Sequence, residues 1–246
     1  RPCVSAAPSF DDSETGGRLA WGSKGDLLLT LGALGFSGLE GDQPFSQRRD
    51  VDYGKIVKVD PRTGTYSIFS IGHRNPQGLT VAADGRIWSS EHGPQGGDEI
   101  NLIVEGGNYG WPLATYGTNY GATTWPLNPH GRDHGSYSEP AVAFVPGVAI
   151  SALIEMQGAE FPGWSGDLLA SSLRTEALFR VRLKGDRVIY VESFSLAQRI
   201  RDLTRTSDGR VIVWADAGIL IELSREDRDD AYNRNCAGCH DPTFGV

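Results

Sequence analysis

Four times along this chain a Gly-Asp or Asp-Gly turn opens directly into an apolar strand: Gly25-Asp26-Leu27, Asp84-Gly85-Arg86-Ile87, Gly166-Asp167-Leu168 and Asp208-Gly209-Arg210-Val211. Such a turn reverses the chain between antiparallel strands, because Gly takes positive φ freely and Asp bonds nearby backbone. The spacing is uneven, at about 60, 80 and 43 residues. Antiparallel units that recur with insertions predict a β-propeller with long loops between some strands. A two-sheet sandwich is the other all-β solution, and the repeated turn chemistry supports it less.

The hydrophobic period agrees. Residues 27–30, 55–59, 66–70, 86–90, 100–104, 167–171, 178–183, 188–191, 211–215 and 220–223 read as short strands of period two. No stretch of 12 or more residues before the C-terminal tail shows helical periodicity. The 32 Gly and 13 Pro suit many short strands and turns better than long helices. The apolar runs, such as 27–31 and 211–214, are far too short to cross a bilayer. A net charge of −8 without a long basic run argues against nucleic acid as a partner. Residues 110–140 hold little strand pattern, and a loop that long in a folded domain is usually functional.

The sharpest motifs follow one another closely. They are Gly72-His73-Arg74-Asn75-Pro76-Gln77-Gly78-Leu79, Ser90-Glu91-His92-Gly93-Pro94, Asp98-Glu99-Ile100-Asn101 and Gly106-Gly107-Asn108-Tyr109-Gly110-Trp111-Pro112. At these residues the chain resembles the soluble pyrroloquinoline-quinone (PQQ) sugar dehydrogenases, the glucose/sorbosone dehydrogenase family. The likeness is nearly gapless over 54–111 and looser to 223. It implies a six-bladed β-propeller, PQQ and calcium as cofactors, and an aldose or related sugar as substrate.

PQQ carries three carboxylates, and an acidic protein that binds it needs a local concentration of Arg, whose guanidinium pairs with a carboxylate through two parallel hydrogen bonds. Arg199-Ile200-Arg201 meets this need, since alternation in an extended chain aims both Arg side chains to one side. Arg74 precedes Asn75-Pro76, where the X-Pro step holds the backbone extended. The resemblance places Arg74, Asn75, Arg199 and Arg201 at cofactor-contacting positions, and Arg174 where the family commonly has Lys. It makes Gly93 and Pro94 the calcium site, through main-chain carbonyls of the kind that suit a hard cation. It sets Asp98 among the residues that line the sugar site. Each of these residues taken alone reads as ordinary surface charge or a loop turn.

Two positions depart from the family pattern. The catalytic His that precedes a Gly-Arg-Leu aligns with Glu14, ahead of Gly17-Arg18-Leu19. The Asp that supports that His aligns with Ala33 in Thr30-Leu31-Gly32-Ala33. A carboxylate serves as general base when its environment suits the task, so Glu14 is the candidate replacement. The alternative is a degenerate propeller that acts as a scaffold or interaction subunit of a larger redox assembly.

After Leu223 the composition changes. Residues 224–230 form a charged linker, and Cys236-Ala237-Gly238-Cys239-His240 is the attachment pattern of haem c, with two thioethers and His240 as axial metal ligand. A redox dithiol is the other reading, and the βαβ context it prefers is missing. Electrons would then pass to this haem and on to a cytochrome or larger redox assembly. The only Met, Met156, lies in the propeller region and six residues follow His240, so no second haem ligand is evident. His130 and His134 lack a completing carboxylate pair or Cys and read as non-metal. Trp111, Tyr116, Tyr120 and Trp125 form an aromatic loop suited equally to packing or to stacking on a sugar.

The expectation is therefore an incomplete propeller over 1–223, with about four blades between Arg18 and Leu223, and a linker with haem attachment over 224–246. The first one or two blades and most of a haem domain would lie outside this sequence, which opens on Arg1 without a signal pattern. A periplasmic or secreted location goes with these cofactors.

Overall fold

The recurring turn closes the same hairpin in every sheet of the protein. The computed structural model describes residues 14–37, 44–120 and 134–225. Blade 1 holds β1 (Gly16–Trp21), β2 (Leu27–Leu31), β3 (Lys55–Val59) and β4 (Tyr66–Ile71). Blade 2 holds β5 (Pro76–Val81), β6 (Ile87–Glu91), β7 (Asp98–Ile103) and β8 (Val142–Phe144). Blade 3 holds β9 (Ile150–Glu155), β10 (Leu168–Ser172), β11 (Ala177–Lys184) and β12 (Arg187–Ser195). Blade 4 has β13 (Ile200–Arg205), β14 (Val211–Ala215) and β15 (Leu220–Leu223) among the described residues. Neighbouring strands are antiparallel throughout. The four expected blades are present, and the only helical segments described are two three-residue 3-10 turns.

Each Gly-Asp or Asp-Gly turn joins the first and second strands of its blade. The bond that closes it recurs as Gly22 N–H to the Asp26 carbonyl, Ala82 to Arg86, Met156 to Asp167 and Thr206 to Arg210. First strands touch one another in turn, β1 with β5, β5 with β9 and β9 with β13, so they line the centre of the ring.

The core lies between blades. Leu28, Ile56 and Phe69 of blade 1 pack with Leu79 and Ile103 of blade 2. Trp88 and Ile100 meet Ile150, Leu168 and Val181 across the next interface. Leu169 and Leu178 meet Ile200, Val211 and Val213 across the third. On β10 the alternation sends Leu168 to one interface and Leu169 to the next, so a middle blade is apolar on both faces.

All four innermost strands, together with the three-residue β8, are absent from the set legible in the period-two pattern. Their sequences, such as PQGLTV and IRDLTR, mix Gly, Pro and charge with apolar residues. They face the axis and the functional mouth, and so lack the even alternation of a half-buried strand.

Lys55 on β3 is fully buried, and its ammonium donates to the carbonyls of Phe45 (2.9 Å), Ser46 (2.9 Å) and Tyr53 (2.5 Å). Burial pushes its pKa down to about 7, aided by Arg49 and opposed by Asp52 and Asp50. The three carbonyls favour the ammonium too, and burial outweighs them. Because the folded value lies below the unfolded one, the unfolded chain binds more protons between about pH 7 and 10.5, and the Lys55 contribution to stability rises across that window. Lys55→Met is expected to flatten the pH dependence of the denaturant midpoint there. An unchanged slope would contradict this.

Candidate active site

In an antiparallel hairpin the start of the first strand and the end of the second lie at the same end. The residues singled out in the sequence occupy these two places in successive blades. Glu14 lies two residues before β1, Arg74 and Asn75 just before β5, and Arg199 just before β13, with Arg201 on β13 itself. Ala33 follows β2, Gly93 and Pro94 follow β6, and Arg174 follows β10. A cross-tie closes each hairpin at this end: the Gly32 N–H donates to the Thr15 carbonyl (3.0 Å), His92 to Asn75 (3.1 Å), Arg174 to Val148 (3.1 Å) and Asp216 to Arg199 (2.9 Å). The Ala33 N–H donates to the Arg74 carbonyl (2.7 Å) and so joins blade 1 to blade 2.

Arg74 is the hub. Its Nη2 pairs with Glu14 Oε1 at 2.6 Å, with both side chains 11% exposed. Its Nη1 donates to the carbonyls of Gly93 (2.8 Å) and His92 (3.2 Å). The guanidinium lies over the Trp111 ring, 5.3 Å from its centroid. Among the described residues, Arg74 Nε is buried with no hydrogen-bond partner, as is Nε2 of His92.

Glu14 does stand beside the Ala33 segment. The Leu34 N–H donates to its carbonyl (3.2 Å), and the Gly35 N–H reaches its Oε2 (3.4 Å). Only Gly fits at position 32, where a Cβ would overlap the Glu14 carbonyl. The Ala33 side chain offers no polar group, and the Glu14 carboxylate pairs with the Arg74 guanidinium. Asn75 uses its Oδ1 to accept from the Gly16 N–H (3.2 Å) and from Gln77 (2.9 Å), which ties blade 1 to blade 2.

Asp98 opens β7. It is 3% exposed, and its Oδ2 accepts from three successive N–H groups, Val148 (2.8 Å), Ala149 (2.5 Å) and Ile150 (3.2 Å). Its Oδ1 accepts from the Gly93 N–H (3.0 Å). Successive N–H groups form a nest for an anion, and here the anion is this carboxylate. Asp98 thus positions the Gly93 loop and the start of β9 with both its oxygens already used.

Arg199 and Arg201 share Asp216, at 3.0 Å from Arg199 Nε, and their hydrogen bonds hold its carboxyl below the usual carboxylate range. About half of each arginine side chain remains exposed. Arg199 Nη1 also reaches the Leu173 carbonyl (3.4 Å), and the exposed Arg174 side chain has no partner among the described residues. Four guanidiniums stand at these strand ends, and the carboxylates of Glu14 and Asp216 pair with three of them. With the partnerless Arg74 Nε, this donor set fits a polyanion such as PQQ. The Gly93 and Pro94 carbonyls already accept, from Arg74 and from Tyr120 (3.4 Å), and each keeps a second lone pair for a hard cation. No cluster of three His, Cys, Asp or Glu suited to a metal exists among the described residues.

The structure also reveals groups to which the sequence pattern assigned no role. His92 is half-buried beside Arg74, with its Nε2 inside. Burial lowers its pKa, Arg74 and Arg201 add to the effect, and Asp98 opposes it. Glu91 accepts from His73 Nδ1 (3.1 Å), the Arg74 N–H (2.8 Å) and Asn101 (3.0 Å). Glu99 is held well above the usual carboxylate range, first by burial and then by Glu91. Glu91, His92 and Glu99 sit within the quoted motifs, so position was the available signal. Asp216 carried none. Tyr116 stacks on His134, which is buried, and Tyr120 contacts Pro94. Trp125, His130, Cys236, Cys239 and His240 lie outside the described residues.

Four successive antiparallel blades with arginines at one end of their inner hairpins are the architecture of a quinoprotein-dehydrogenase type of propeller. The chain belongs to the glucose/sorbosone dehydrogenase family, whose profile matches residues 4–222. It is 32% identical over 227 residues to aldose sugar dehydrogenase YliI of Escherichia coli, covering 85% of this chain and 59% of that protein. It is 30% identical over 214 residues to quinoprotein glucose dehydrogenase B of Acinetobacter calcoaceticus, covering 65% of this chain and 45% of that one. The PQQ-bound aldose sugar dehydrogenase of Streptomyces coelicolor superposes with a TM-score of 0.66 at 26% identity, over 85% of this chain and 61% of its own. The chain thus spans about half the length of these curated relatives. No helix among the described residues is long and apolar enough to cross a membrane.

Proposed function

We propose that the protein is a quinoprotein oxidoreductase that oxidises an aldose or related sugar with PQQ and calcium. The observation that supports this is the Glu14–Arg74 pair beside the Gly93 carbonyl, with Arg174, Arg199 and Arg201 at the corresponding strand ends of blades 3 and 4. Bound PQQ would supply the chemistry of a two-electron hydride acceptor. The arginines, with Asn75 beside them, would hold its carboxylates by paired hydrogen bonds. The Gly93 and Pro94 carbonyls would hold calcium through the lone pairs that Arg74 and Tyr120 leave open. Glu14 would take the sugar hydroxyl proton on a carboxylate oxygen as the adjacent carbon gives up hydride, leaving a carbonyl. Asp98 would act by fixing the Gly93 loop. The relatives favour this reading over the scaffold alternative.

The reading extends to the tail. Cys236, Cys239 and His240 would attach haem c, which would take electrons from the propeller and pass them to a cytochrome or redox assembly. A periplasmic or secreted location goes with such attachment, and cell fractionation checks it. One preparation tests the rest. Reconstitution with PQQ and calcium is expected to give dye-linked oxidation of aldoses that needs both additions, and haem that stays bound through denaturation. Lack of a quinone spectrum and of turnover at saturating sugar would refute the enzyme, and haem lost on denaturation would refute thioether attachment.

A further inference from the structure

The Arg74 guanidinium is committed before any ligand arrives. Its Nη2 holds Glu14 at 2.6 Å, its Nη1 holds two carbonyls, and one face lies on Trp111. Of its nitrogens, Nε lacks a partner among the described residues. A ligand carboxylate needs two adjacent N–H groups of the fork for the paired geometry that makes Arg selective. It therefore has to enter by exchange, one carboxylate for another. The Glu14–Arg74 pair is far more sheltered than the Arg199–Asp216 pair, with 11% of each side chain exposed against 50% and 33%. Solvent and salt weaken the outer pair and spare the inner one.

We propose that Glu14 is the built-in counter-anion of Arg74, displaced by a carboxylate of the incoming cofactor, so that loading the cofactor and freeing the proton acceptor are one event. The proposal rests on the quinoprotein reading and concerns the residue by which this chain departs from its family's pattern. Before loading, Glu14 has an oxygen tied to Arg74, and the site cannot both hold that pair and offer the fork to a ligand. The contact costs the resting site affinity, because a ligand competes with an internal anion at very high effective concentration. In return the carboxylate is released only when the electron acceptor is in place.

The test is a titration of the whole protein with PQQ in the presence of calcium, read by tryptophan fluorescence, on wild type, Glu14→Gln and Glu14→Ala. Removing the Glu14 charge is expected to tighten PQQ binding about tenfold. The second variant guards against one substitution that misfolds. The gain is expected to persist at about 0.5 M salt, where the influence of a distant exposed charge is screened. Equal or weaker binding in both variants would overturn the proposal, as would a gain that vanishes in salt. Failure of PQQ to bind any of the three proteins would instead overturn the quinoprotein reading and this proposal with it.

Discussion

Arg74→Ala is expected to weaken PQQ binding by at least about a hundredfold, the scale of losing one partner of a desolvated charge-assisted pair. The reason is concentration of function in one side chain. Arg74 reaches the candidate base Glu14, the Gly93 carbonyl and the Trp111 ring at once. Removing it leaves Glu14 sheltered without its cation and lets the Gly93 carbonyl turn. Arg74→Lys keeps a charge for Glu14 but not the fork, and should fall between wild type and Ala. Equilibrium dialysis with calcium present measures both. Wild-type affinity in Arg74→Ala would mean that the arginines of blades 3 and 4 suffice and that Arg74 is only structural.

Asp98→Ala should destabilise the protein by about 3–5 kcal/mol, the range for stripping a buried charge from its partners. The carboxylate satisfies four backbone N–H groups, and those of Val148 and Ile150 are buried. Ala leaves all four without an acceptor in a space that water enters poorly. Asp98→Asn keeps an acceptor but turns an NH2 towards donors, and should recover less than half of the loss. Denaturant unfolding measures it. A loss below about 1 kcal/mol would show that water or a moving loop replaces the carboxylate. Ligand contact alone predicts no loss in the unliganded protein, so this variant separates the nest from a sugar-lining role.

The parts of this architecture that repeat were readable before any coordinates. Turns such as Asp84-Gly85 mark the inner hairpins because their geometry demands particular residues, and strands such as 211–215 declare themselves because both faces bury apolar side chains. The inner strands were not readable, since Gln77 on β5 and Asp202 on β13 face the axis and break the alternation. Among site residues, Arg199 and Arg201 announced their shared direction through spacing. Asp216, which both of them hold, could not be found that way, because it pairs across a hairpin. Likewise nothing in the local pattern tells that Asp98 would commit one carboxylate oxygen to a segment some 50 residues ahead.

The central claim is that this mouth binds a quinone that a sugar then reduces. Absorbance spectra of the PQQ- and calcium-loaded protein, recorded without oxygen or dye before and after adding an aldose, test it most directly. The account predicts stoichiometric uptake of PQQ and loss of the oxidised quinone band within one turnover, slowed strongly in Glu14→Ala. A quinone band that no sugar changes, or no PQQ uptake at all, would contradict it.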